Sequence, residues 1–373
     1  MTKLAETFQI QPGCITKHPD ADRLDVVDVY ADGRTFALVK RGDFTEGEIA
    51  VFIPAIADPM VDTNDARFAF LASDAKRDGY ARIKVKKLRG VESRGLVFKL
   101  DDVVAETIGG AVPDVDVSEA LKVKKYDPFD YANGRGSVGG PGYNLGRSQV
   151  ERGPDQLIPG VYDVDGVGKY HRLLIPGEQV VITEKIHGAN ASFYWHEDRL
   201  FVRSRNLWKA KPAEGEPGDA WWEAATACGI EAKYLQFPEH RHLAFYGEVY
   251  GRVQDLTYGL TDRRFILFDV WDTVSRKWLS PAERAAIGDL FGLQHVPVLY
   301  SGPWQTVESE GRHRPHPEMY ALAEGVSVEA ARNGSANVRE GFVVEPVEVR
   351  HDMRIGRVKL KWVGTGYSTR KGA

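Results

Sequence analysis

Residues 183–190 read Thr-Glu-Lys-Ile-His-Gly-Ala-Asn and follow the apolar run Val-Val-Ile at 180–182. This pattern predicts that Lys185 ends a buried strand, with Gly188 in the turn that follows. A buried cation is costly unless it has a chemical role, and a glycine leaves room for a ligand to approach the backbone. Burial also lowers the pKa of a lysine readily, which produces an amine nucleophile. The alternative is an ordinary surface lysine at the end of a hairpin.

Five segments downstream of this lysine carry further candidate site residues. They read Ser-Arg-Asn at 204–206, Phe-Tyr-Gly-Glu at 245–248, Phe-Ile-Leu-Phe-Asp-Val at 265–270, Glu-Gly-Phe-Val-Val at 340–344 and Lys-Leu-Lys at 359–361. Because side chains alternate along a strand, the two lysines of the last segment lie on one face. Each segment alone also has a purely structural explanation: strand-end carboxylates, a core phenylalanine, a surface arginine paired with an acid.

Composition indicates a globular protein of two domains. The chain has 373 residues, 43% hydrophobic and 27% charged, and this length predicts two domains. No apolar run approaches the roughly 20 residues that span a bilayer, and the N-terminus lacks the apolar core of a signal peptide. Cys14 and Cys228 are the only cysteines, so we expect a reducing, cytoplasmic location without disulfides. The net charge of −4 means that any nucleic-acid surface must be local.

The N-terminal part predicts short strands with little helix. The expected strands cover residues 8–15, 25–30, 35–40, 49–53, 81–87 and 95–100. Asp32-Gly33 is a typical hairpin turn between two of them. Such strands favour a small β-barrel of the OB type, which we assign to residues 1–125.

A basic segment lies within this module. Residues 76–94 contain eight Lys or Arg against two acids. In Arg-Ile-Lys-Val-Lys at 82–86, basic and apolar residues alternate, which places Arg82, Lys84 and Lys86 on one face of a strand. Together with Lys87 and Arg89 they form a candidate surface for nucleic-acid phosphates. The alternative is a solvated edge strand protected by lysines.

Residues 126–152 are rich in Gly, Asn, Ser and Pro and predict a linker or loop. Strands and helices alternate in residues 153–373, which predicts an α+β domain of antiparallel or mixed sheets with flanking helices. The expected strands cover 178–186, 191–195, 200–205, 242–250, 265–271, 341–346 and 357–363. Ser-Pro-Ala-Glu at 280–283 is a capping box that begins a helix ending near Phe291, and residues 220–231 predict another helix.

In this order, the lysine segment and the five that follow resemble the motifs of the covalent nucleotidyltransferases, which are RNA ligases, DNA ligases and mRNA capping enzymes. Glu-Lys-Ile-His-Gly-Ala-Asn at 184–190 is similar to RNA ligases, since DNA ligases normally have Asp two residues after the lysine. Only twelve residues follow Lys361, too few for the OB domain that DNA ligases and capping enzymes carry there. The whole chain resembles the fifth RNA ligase family. That resemblance implies an N-terminal OB-type barrel and a nucleotidyltransferase (ATP-grasp-like ligase) domain.

A shorter similarity concerns the N-terminal module. Residues 18–24, His-Pro-Asp-Ala-Asp-Arg-Leu, are similar to the tRNA-binding OB modules of some aminoacyl-tRNA synthetases. This similarity favours a nucleic-acid surface and not aminoacylation.

The resemblance implies a nucleotide site. Lys185 would attack the α-phosphate of ATP to give a lysyl-adenylate, with His187 near the adenylate phosphate. Glu184 would contact the adenosine, Phe268 would stack on the adenine and Glu248 would bind the ribose hydroxyls. These assignments follow from the motifs alone.

The resemblance also implies how phosphate charge is compensated. Glu340 would help to bind Mg²⁺ or Mn²⁺ through water, and Lys359 and Lys361 would neutralise the α-phosphate, since transfer at phosphorus needs mainly positioning and charge compensation. Asn190 and Arg205 would receive the 5′-phosphate. A lysine must be neutral to attack, and we expect adjacent cations and partial burial to lower the pKa of the nucleophile.

The implied activity is ATP-dependent RNA ligation in RNA repair: a monomer that seals 3′-OH/5′-phosphate nicks in a duplex with an RNA 3′-OH strand. Two alternatives stay open. One is an OB-type RNA-binding protein with an inactive ligase-like half, and the other is a capping-type guanylyltransferase that uses GTP. Residues 133–146, residues 210–218 and Trp221-Trp222 receive no role from the sequence.

Overall fold

The computed structural model describes residues 3–370 apart from positions 32, 34, 77, 127–149, 156, 161, 310 and 311. The Gly-rich stretch 133–146, most of the predicted linker and Asp32 of the predicted hairpin turn therefore lie outside the described residues. The chain divides into two compact units. The N-terminal unit comprises Met1–Asp127, Asp155–Gly160 and His351–Arg357, and the C-terminal unit comprises Pro128–Pro154, Val161–Arg350 and Val358–Ala373.

Short strands build the N-terminal unit. They are β1 (Glu6–Gln9), β2 (Ile15–Lys17), β3 (Leu24–Asp28), β4 (Phe36–Lys40), β5 (Ile49–Pro54), β6 (Pro59–Asp62), β7 (Tyr80–Arg82), β8 (Lys86–Leu88), β9 (Val91–Ser93), β10 (Gly95–Lys99) and β11 (Lys124–Lys125), with helix α1 (Asp102–Thr107) after β10. The strands form sheets β1-β5-β10, β2-β3-β4 and β11-β6-β7 and the hairpin β8-β9. Among the described residues, the strand pairs thus form separate sheets, and no continuous pairing closes them into the barrel expected from the sequence.

Strand β5 organises the core of this unit. It lies between β1 and β10 and is buried on both faces. Ala50 and Phe52 pack in one apolar cluster, whereas Val51 and Ile53 pack in another. The period of two along a strand explains this division, and burial on both faces explains the continuous apolar run in the sequence.

The strand predicted over residues 81–87 is wrong, because the chain changes partners within it. Arg82 in β7 pairs with Met60, whereas Lys86 in β8 pairs with Ser93. Ile83 lies between them with its side chain in the core. Arg82 and Lys86 therefore belong to different sheets, and the basic residues do not share one strand face.

The strands that follow β11 belong mainly to the C-terminal unit. They are β12 (Asp165–Gly166), β13 (Gln179–Lys185), β14 (Ala189–His196), β15 (Arg199–Ser204), β16 (Trp208–Lys209), β17 (Leu243–Gly251), β18 (Arg263–Asp272), β19 (Lys277–Trp278), β20 (Val298–Pro303), β21 (Thr306–Ser309), β22 (Arg312–Pro315), β23 (Gly341–Pro346), β24 (His351–Asp352), β25 (Gly356–Arg357) and β26 (Leu360–Val363). One sheet has the order β16-β15-β14-β17-β18-β19 and another the order β12-β26-β23-β13-β20; β21 and β22 form a hairpin. Only the β12–β26 pair of the described ladders is parallel.

The hairpin of β24 and β25 is the exception, because it belongs to the N-terminal unit. The Glu92 N–H donates to the carbonyl of Met353 at 3.1 Å. Arg94 Nη2 donates to the carbonyl of Ile355 at 3.3 Å. A segment near the end of the sequence thus completes a unit that begins at the first residue.

Seven helices of the described chain lie in the C-terminal unit: α2 (Val167–Tyr170), α3 (Ala220–Ala227), α4 (Ile230–Gln236), α5 (Pro281–Leu290), α6 (Pro317–Ala321), α7 (Val328–Arg332) and α8 (Thr365–Ser368). The capping box at Ser280 and Glu283 is present and begins α5, as predicted. The single helix predicted over 220–231 is wrong, because Gly229 adopts a φ of +64° and separates α3 from α4. No helix in the described part of the chain combines the length and apolar character needed to span a bilayer.

Most strands predicted for this half are present to within two residues. The strand predicted over 357–363 is an exception, since β25 ends at Arg357 and β26 begins only at Leu360. Lys359, in the gap, is buried. The reason is a set of ion pairs that is described below.

Candidate functional site

Lys185 ends β13, as predicted. It lies opposite Gly341 in the neighbouring strand β23, which places Glu340 beside it. Gly188 follows in the turn to β14, where a Cβ atom would stand 2.2 Å from the carbonyl oxygen of Val249. The close approach of the β17 backbone therefore requires a glycine at this position.

The amine of Lys185 contacts a carboxylate. Lys185 Nζ donates to Glu340 Oε1 at 2.6 Å. Burial lowers the pKa of Lys185, but the charges of Glu340 and Glu248 outweigh it and raise the pKa above its ordinary value. The expectation that neighbouring cations lower this pKa is therefore wrong for the protein without bound nucleotide, because the nearest charged neighbours of Lys185 are carboxylates.

Glu248 lies close enough to take part in this electrostatic cluster. It is on β17 opposite Asn190 of β14. Burial raises its pKa to about 8; Lys185 opposes this shift and Glu340 adds to it. When protonated, the Glu248 carboxyl group can donate as well as accept a hydrogen bond.

The two carboxylate oxygens of Glu340 differ in their hydrogen bonds. Oε1 accepts from Lys185, whereas the buried Oε2 has no hydrogen-bond partner among the described residues. His187 Nδ1 lies 4.0 Å from Oε2. An unpartnered carboxylate oxygen suits a hard divalent cation or its water ligands. Within the described residues, however, no three His, Cys, Asp or Glu side chains converge as a protein-only metal site.

His187 is held from three sides. Its Nε2 lies 2.7 Å from Asp255 Oδ1, its Nδ1 lies 2.8 Å from the Tyr367 hydroxyl, and its backbone N–H donates to the Tyr258 hydroxyl at 2.6 Å. Burial lowers the pKa of His187, although Glu340 and Asp255 oppose the shift. The imidazole is therefore a fixed and mainly neutral group beside Glu340 at neutral pH.

Glu184 points to the start of helix α7. Its Oε2 accepts from the N–H groups of Val328 at 2.9 Å and Glu329 at 3.3 Å. Burial raises the pKa of Glu184 despite these hydrogen bonds. Its Oε1 is buried and has no partner among the described residues. The side chain thus ties β13 to α7 and keeps one acceptor free.

Phe268 is half-buried on β18. Its ring lies 4.8 Å from the ring of Tyr162, at an interplanar angle of 40°. The Tyr162 hydroxyl donates to Asp269 Oδ2 at 2.7 Å. The predicted adenine-stacking residue therefore already has an aromatic neighbour.

Lys359 lies in a buried network of four charges. Its Nζ is 3.0 Å from Asp269 Oδ2 and 3.1 Å from Glu345 Oε1. Arg284 contacts the same two carboxylates, at 3.5 Å and 2.8 Å. These contacts draw Lys359 inward and explain why the chain leaves the strand pattern before β26.

Lys361 and Arg205 meet at one carboxylate. Lys361 Nζ lies 3.0 Å from Asp163 Oδ1, and Arg205 Nη2 lies 2.9 Å from Asp163 Oδ2. Burial would raise the pKa of Asp163, but Lys361 and Arg205 lower it below the ordinary value. Two cations predicted to bind phosphates thus share an anion, which is an arrangement that a phosphate group could replace.

We expect the two lysines of the last motif to differ in their effect on stability. Lys359→Met should lower the free energy of unfolding by about 3–5 kcal/mol, because it leaves buried carboxylates short of a cation. Lys361→Met should cost about 0–1 kcal/mol, because its ion pair is largely solvated. Urea unfolding followed by circular dichroism measures both values. Equal losses would contradict the buried network.

Asn190 is positioned by helix α3. Trp221 Nε1 donates to the Asn190 carbonyl at 2.9 Å, and Trp222 Nε1 donates to the Lys209 carbonyl at 2.9 Å. Both tryptophans belong to the apolar core between α3 and the sheet. The tryptophan pair therefore packs α3 behind the strand that carries Asn190.

The structure brings some predicted residues together and separates others. Lys185, His187, Glu248 and Glu340 form one electrostatic cluster, and Asn190 is the cross-strand neighbour of Glu248. Phe268 and Lys359 are linked, since Lys359 Nζ lies 3.4 Å from the Phe268 carbonyl oxygen. Lys361 and Arg205 form a separate pair through Asp163.

Comparison with known protein families shows which family the chain belongs to. A family model described as RNA ligase matches residues 178–363. The matched segment includes every predicted site residue of the C-terminal unit, from Glu184 to Lys361. The chain belongs to the RNA ligase family.

A second family model, an OB-fold domain, matches residues 9–100 of this RNA ligase. Among solved structures, the ligase is similar to a mutant of Naegleria gruberi RNA ligase with ATP and Mn, at 23% identity, 100% coverage of both chains and a TM-score of 0.47. It is also similar to the Naegleria gruberi RNA ligase with PPi, at 23% identity, 98% coverage of both chains and a TM-score of 0.47. No curated protein gives a significant match.

The basic residues predicted for the N-terminal unit of the ligase differ in their contacts. Arg82 is paired with Asp58, Lys86 with Asp74 at 2.8 Å and Lys87 with Glu92 at 3.5 Å. Lys84 and Arg89 are exposed and make no ion pair with a described residue. Of the five predicted basic residues, these two are therefore the candidates whose charge is available to a phosphate.

Sequence reasoning missed several residues that position the site of the ligase. Tyr162 and Asp163 precede the first motif and carry no local signal. Asp255 and Tyr367 hold His187 and lie between motifs or after the last one. Glu345 had a signal, because a carboxylate in the apolar run of β23 indicates a buried ion pair.

Proposed function

We propose that this RNA ligase uses ATP to seal 3′-OH/5′-phosphate nicks through a lysyl-AMP intermediate on Lys185. The observation that carries the proposal is the placement of Lys185, which ends a buried strand within the RNA ligase domain and lies 2.6 Å from Glu340. A partly buried amine that contacts a carboxylate with an unpartnered oxygen suits the binding of a nucleotide phosphate and its cation.

In the first step, the neutral Lys185 Nζ attacks the α-phosphorus of ATP. A P–N bond forms, the P–O bond to the β-phosphate breaks, and pyrophosphate leaves. The proton that Lys185 must lose is the one it now donates to Glu340. A divalent ion held by Glu340 would supply positive charge at the phosphates and would compete with the amine for the carboxylate.

The remaining nucleotide contacts follow the motif residues. Phe268 stacks on the adenine ring, Glu248 binds the ribose hydroxyls, and Glu184 fixes the strand that carries Lys185. Glu248 can donate to a ribose oxygen when it is protonated and accept from a ribose hydroxyl in either state, and His187 lies beside the adenylate phosphate. Stacking on Phe268 requires that Tyr162 shifts or that the base uses the opposite ring face, because the two rings are in contact.

The next two steps transfer AMP to the nick and then join the strands. A 5′-phosphate oxygen attacks the phosphorus of lysyl-AMP, the P–N bond breaks, and an adenylylated 5′-end forms. The RNA 3′-OH then attacks the 5′-phosphate phosphorus and AMP leaves. Asn190 and Arg205 receive the 5′-phosphate, while Lys359 and Lys361 compensate the charge of the AMP phosphate.

Four further points belong to the proposal: the substrate, the oligomeric state, the location and the roles of the segments. The substrate is a nicked duplex with an RNA 3′-OH strand, and the ligase acts as a monomer. The two described cysteines are free, which is consistent with a reducing cytoplasm. Residues 1–125 act as the nucleic-acid-binding module, residues 126–152 as the connection and residues 153–373 as the catalytic domain, except that residues 155–160 and 351–357 belong to the N-terminal unit.

Incubation with α-labelled ATP or GTP and Mg²⁺ tests the proposal. We expect a covalent label from ATP and not from GTP, and a mass shift of one AMP on the peptide that contains Lys185. A label from GTP alone would favour a capping-type guanylyltransferase. No label from either nucleotide would favour an RNA-binding protein with an inactive ligase-like half.

Free cations of the N-terminal unit should contribute to nick binding. Replacing both Lys84 and Arg89 with alanine should weaken binding of a nicked RNA duplex. It should also reduce the slope of log K against log salt by about two, since each of two lost phosphate contacts no longer releases counterions. Self-adenylylation should stay at the wild-type rate. Fluorescence anisotropy at several salt concentrations measures the slope.

Lys40→Ala is the matched control, because Lys40 is exposed but already pairs with Asp43 at 3.7 Å. An unchanged salt slope in the Lys84/Arg89 double variant would show that these cations are only solvated.

A further inference from the structure

Tyr162 and Asp163 lie outside the six motifs, yet they contact three of the predicted substrate-binding residues. Asp163 offers one carboxylate oxygen to each of two cations: Oδ1 lies 3.0 Å from Lys361 Nζ, and Oδ2 lies 2.9 Å from Arg205 Nη2. The ring of Tyr162 lies 4.8 Å from the ring of Phe268. All five residues belong to the C-terminal unit. A two-residue segment thus lies against groups that the proposed function assigns to phosphates and to adenine.

The carboxylate of Asp163 resembles a bound phosphate in its charge and its contacts. Among the described residues, it is the one acid that forms an ion pair with Lys361 or with Arg205. Carboxylates and phosphates are the anions that the planar guanidinium group of an arginine binds best. The two cations can therefore bind either anion, but not both in the same place at once.

These ion pairs are accessible to a substrate. The side chains of Asp163 and Arg205 are 56% and 51% exposed, and that of Lys361 is 32% exposed. Ion pairs in contact with this much solvent contribute little to stability, so an anion of higher charge can replace the carboxylate. A phosphate monoester has about 1.5 to 2 negative charges at pH 7, whereas a carboxylate has a single one.

The fold keeps the Asp163 carboxylate beside its two cations. On the N-terminal side, the Tyr162 hydroxyl donates to Asp269 Oδ2 at 2.7 Å. On the C-terminal side, β12 begins two residues later and places Gly166 opposite Lys361 of β26. A group tethered so closely to its partner has a high effective concentration there, on the order of mM for short flexible linkers. A phosphate of the substrate must therefore compete with the carboxylate.

We propose that Asp163 is an internal competitor of the 5′-phosphate at the nick. In the ligase without nucleic acid, Asp163 keeps Arg205 and Lys361 in position, and the 5′-phosphate replaces its carboxylate at Arg205 when a nick binds. An end with a 5′-OH has no terminal anion that could take this place, so the carboxylate stays. Asp163 thus lowers the affinity for a 5′-phosphate and not for a 5′-OH. The inference rests on the proposed role of Arg205 as a ligand of the 5′-phosphate.

The test compares two nicked RNA duplexes that differ only in a 5′-phosphate or a 5′-OH at the nick. Their binding to the full chain is measured by fluorescence anisotropy without ATP or a divalent ion, so that no chemistry occurs. The ionic strength is physiological, which screens the longer-range effect of a removed charge. Asp163→Asn removes the charge and keeps an oxygen that accepts from a cation. It should tighten binding of the 5′-phosphate duplex severalfold and leave binding of the 5′-OH duplex unchanged.

Two further variants separate this inference from its alternatives. Asp262→Asn is the matched control, because Asp262 is an exposed acid of the same unit that pairs with Arg264 at 3.2 Å. Both affinities should stay at the wild-type values in this control. Arg205→Ala should reduce the wild-type preference for the 5′-phosphate, because it removes the proposed ligand of that group.

Three results would overturn the proposal. Unchanged or weaker binding of the 5′-phosphate duplex by Asp163→Asn, with a reduced preference in Arg205→Ala, would refute competition and leave the proposed role of Arg205 intact. An undiminished preference in Arg205→Ala would refute both. Equal tightening of the two duplexes by Asp163→Asn would show that the lost charge acts on RNA in general and not at the 5′-end.

Discussion

Lys185→Ala should reduce covalent AMP labelling to the detection limit. In the proposed reaction the side chain at this position supplies the atom that forms the P–N bond, and removing a covalent nucleophile costs on the order of 10⁶-fold in rate in the best-studied enzymes. The measurement is gel autoradiography of the protein after incubation with α-labelled ATP and Mg²⁺, with mass spectrometry of the labelled peptide in the wild type.

A pre-adenylylated nick provides the control for Lys185→Ala. The final step joins the 3′-OH to an already activated 5′-end and needs no amine nucleophile, so the variant should still seal this substrate. A stable label on Lys185→Ala, or a wild-type adduct that maps to another residue, would contradict the proposed chemistry. Failure to seal the activated nick would instead show that the substitution damages the site as a whole.

Glu340→Gln should lower the rate of adenylylation by about 10²–10³-fold, because in the proposed site it weakens binding of the divalent ion that compensates the charge of the reacting phosphates. The same change should lower the pKa of Lys185. In the wild type, Glu340 and Glu248 raise this pKa against the effect of burial, so loss of the Glu340 charge favours the neutral amine. The variant is thus expected to have a more readily deprotonated lysine and yet a slower reaction.

Competitive acetylation of Lys185 as a function of pH, followed by mass spectrometry, separates these two effects. Without a divalent ion, Lys185 of the wild type should become reactive at a higher pH than an ordinary lysine, and Glu340→Gln should shift that transition to lower pH. Adding Mg²⁺ should shift it to lower pH in the wild type and have little effect in Glu340→Gln. A transition that is the same in both proteins would show that Glu340 does not control the charge of the nucleophile.

Local patterns predicted the strands that carry the site. Strands β13, β14, β17 and β18 are apolar runs between turn residues. The motif order was sufficient to predict the RNA ligase domain. These features depend on residues that are close in sequence or on a pattern preserved along the chain.

Features that depend on distant partners could not be predicted in the same way. Lys359 continues an alternating pattern in sequence, but Asp269, Arg284 and Glu345 draw it into a buried network. The basic run of the N-terminal unit also alternates, yet Ile83 enters the core and divides it between two sheets. In both places tertiary contacts override strand periodicity.

The pKa of Lys185 shows the same limit for electrostatics. The direction of its pKa shift depends on which charges surround the amine. Lys359 and Lys361, which we expected beside it, contact carboxylates instead: Asp269 and Glu345 for Lys359, and Asp163 for Lys361. The sequence predicts which residue is the nucleophile but not the protonation state of its amine. That state requires the coordinates of the carboxylates.

The hairpin of β24 and β25 has a consequence for how the protein is made. Residues 351–357 complete the N-terminal unit, but the ribosome adds them more than two hundred residues after Asp127. At about 5–20 residues per second this is a wait of roughly 10–45 seconds. During that interval the N-terminal unit lacks residues 351–357. It therefore cannot complete its fold before most of the C-terminal unit has been synthesised.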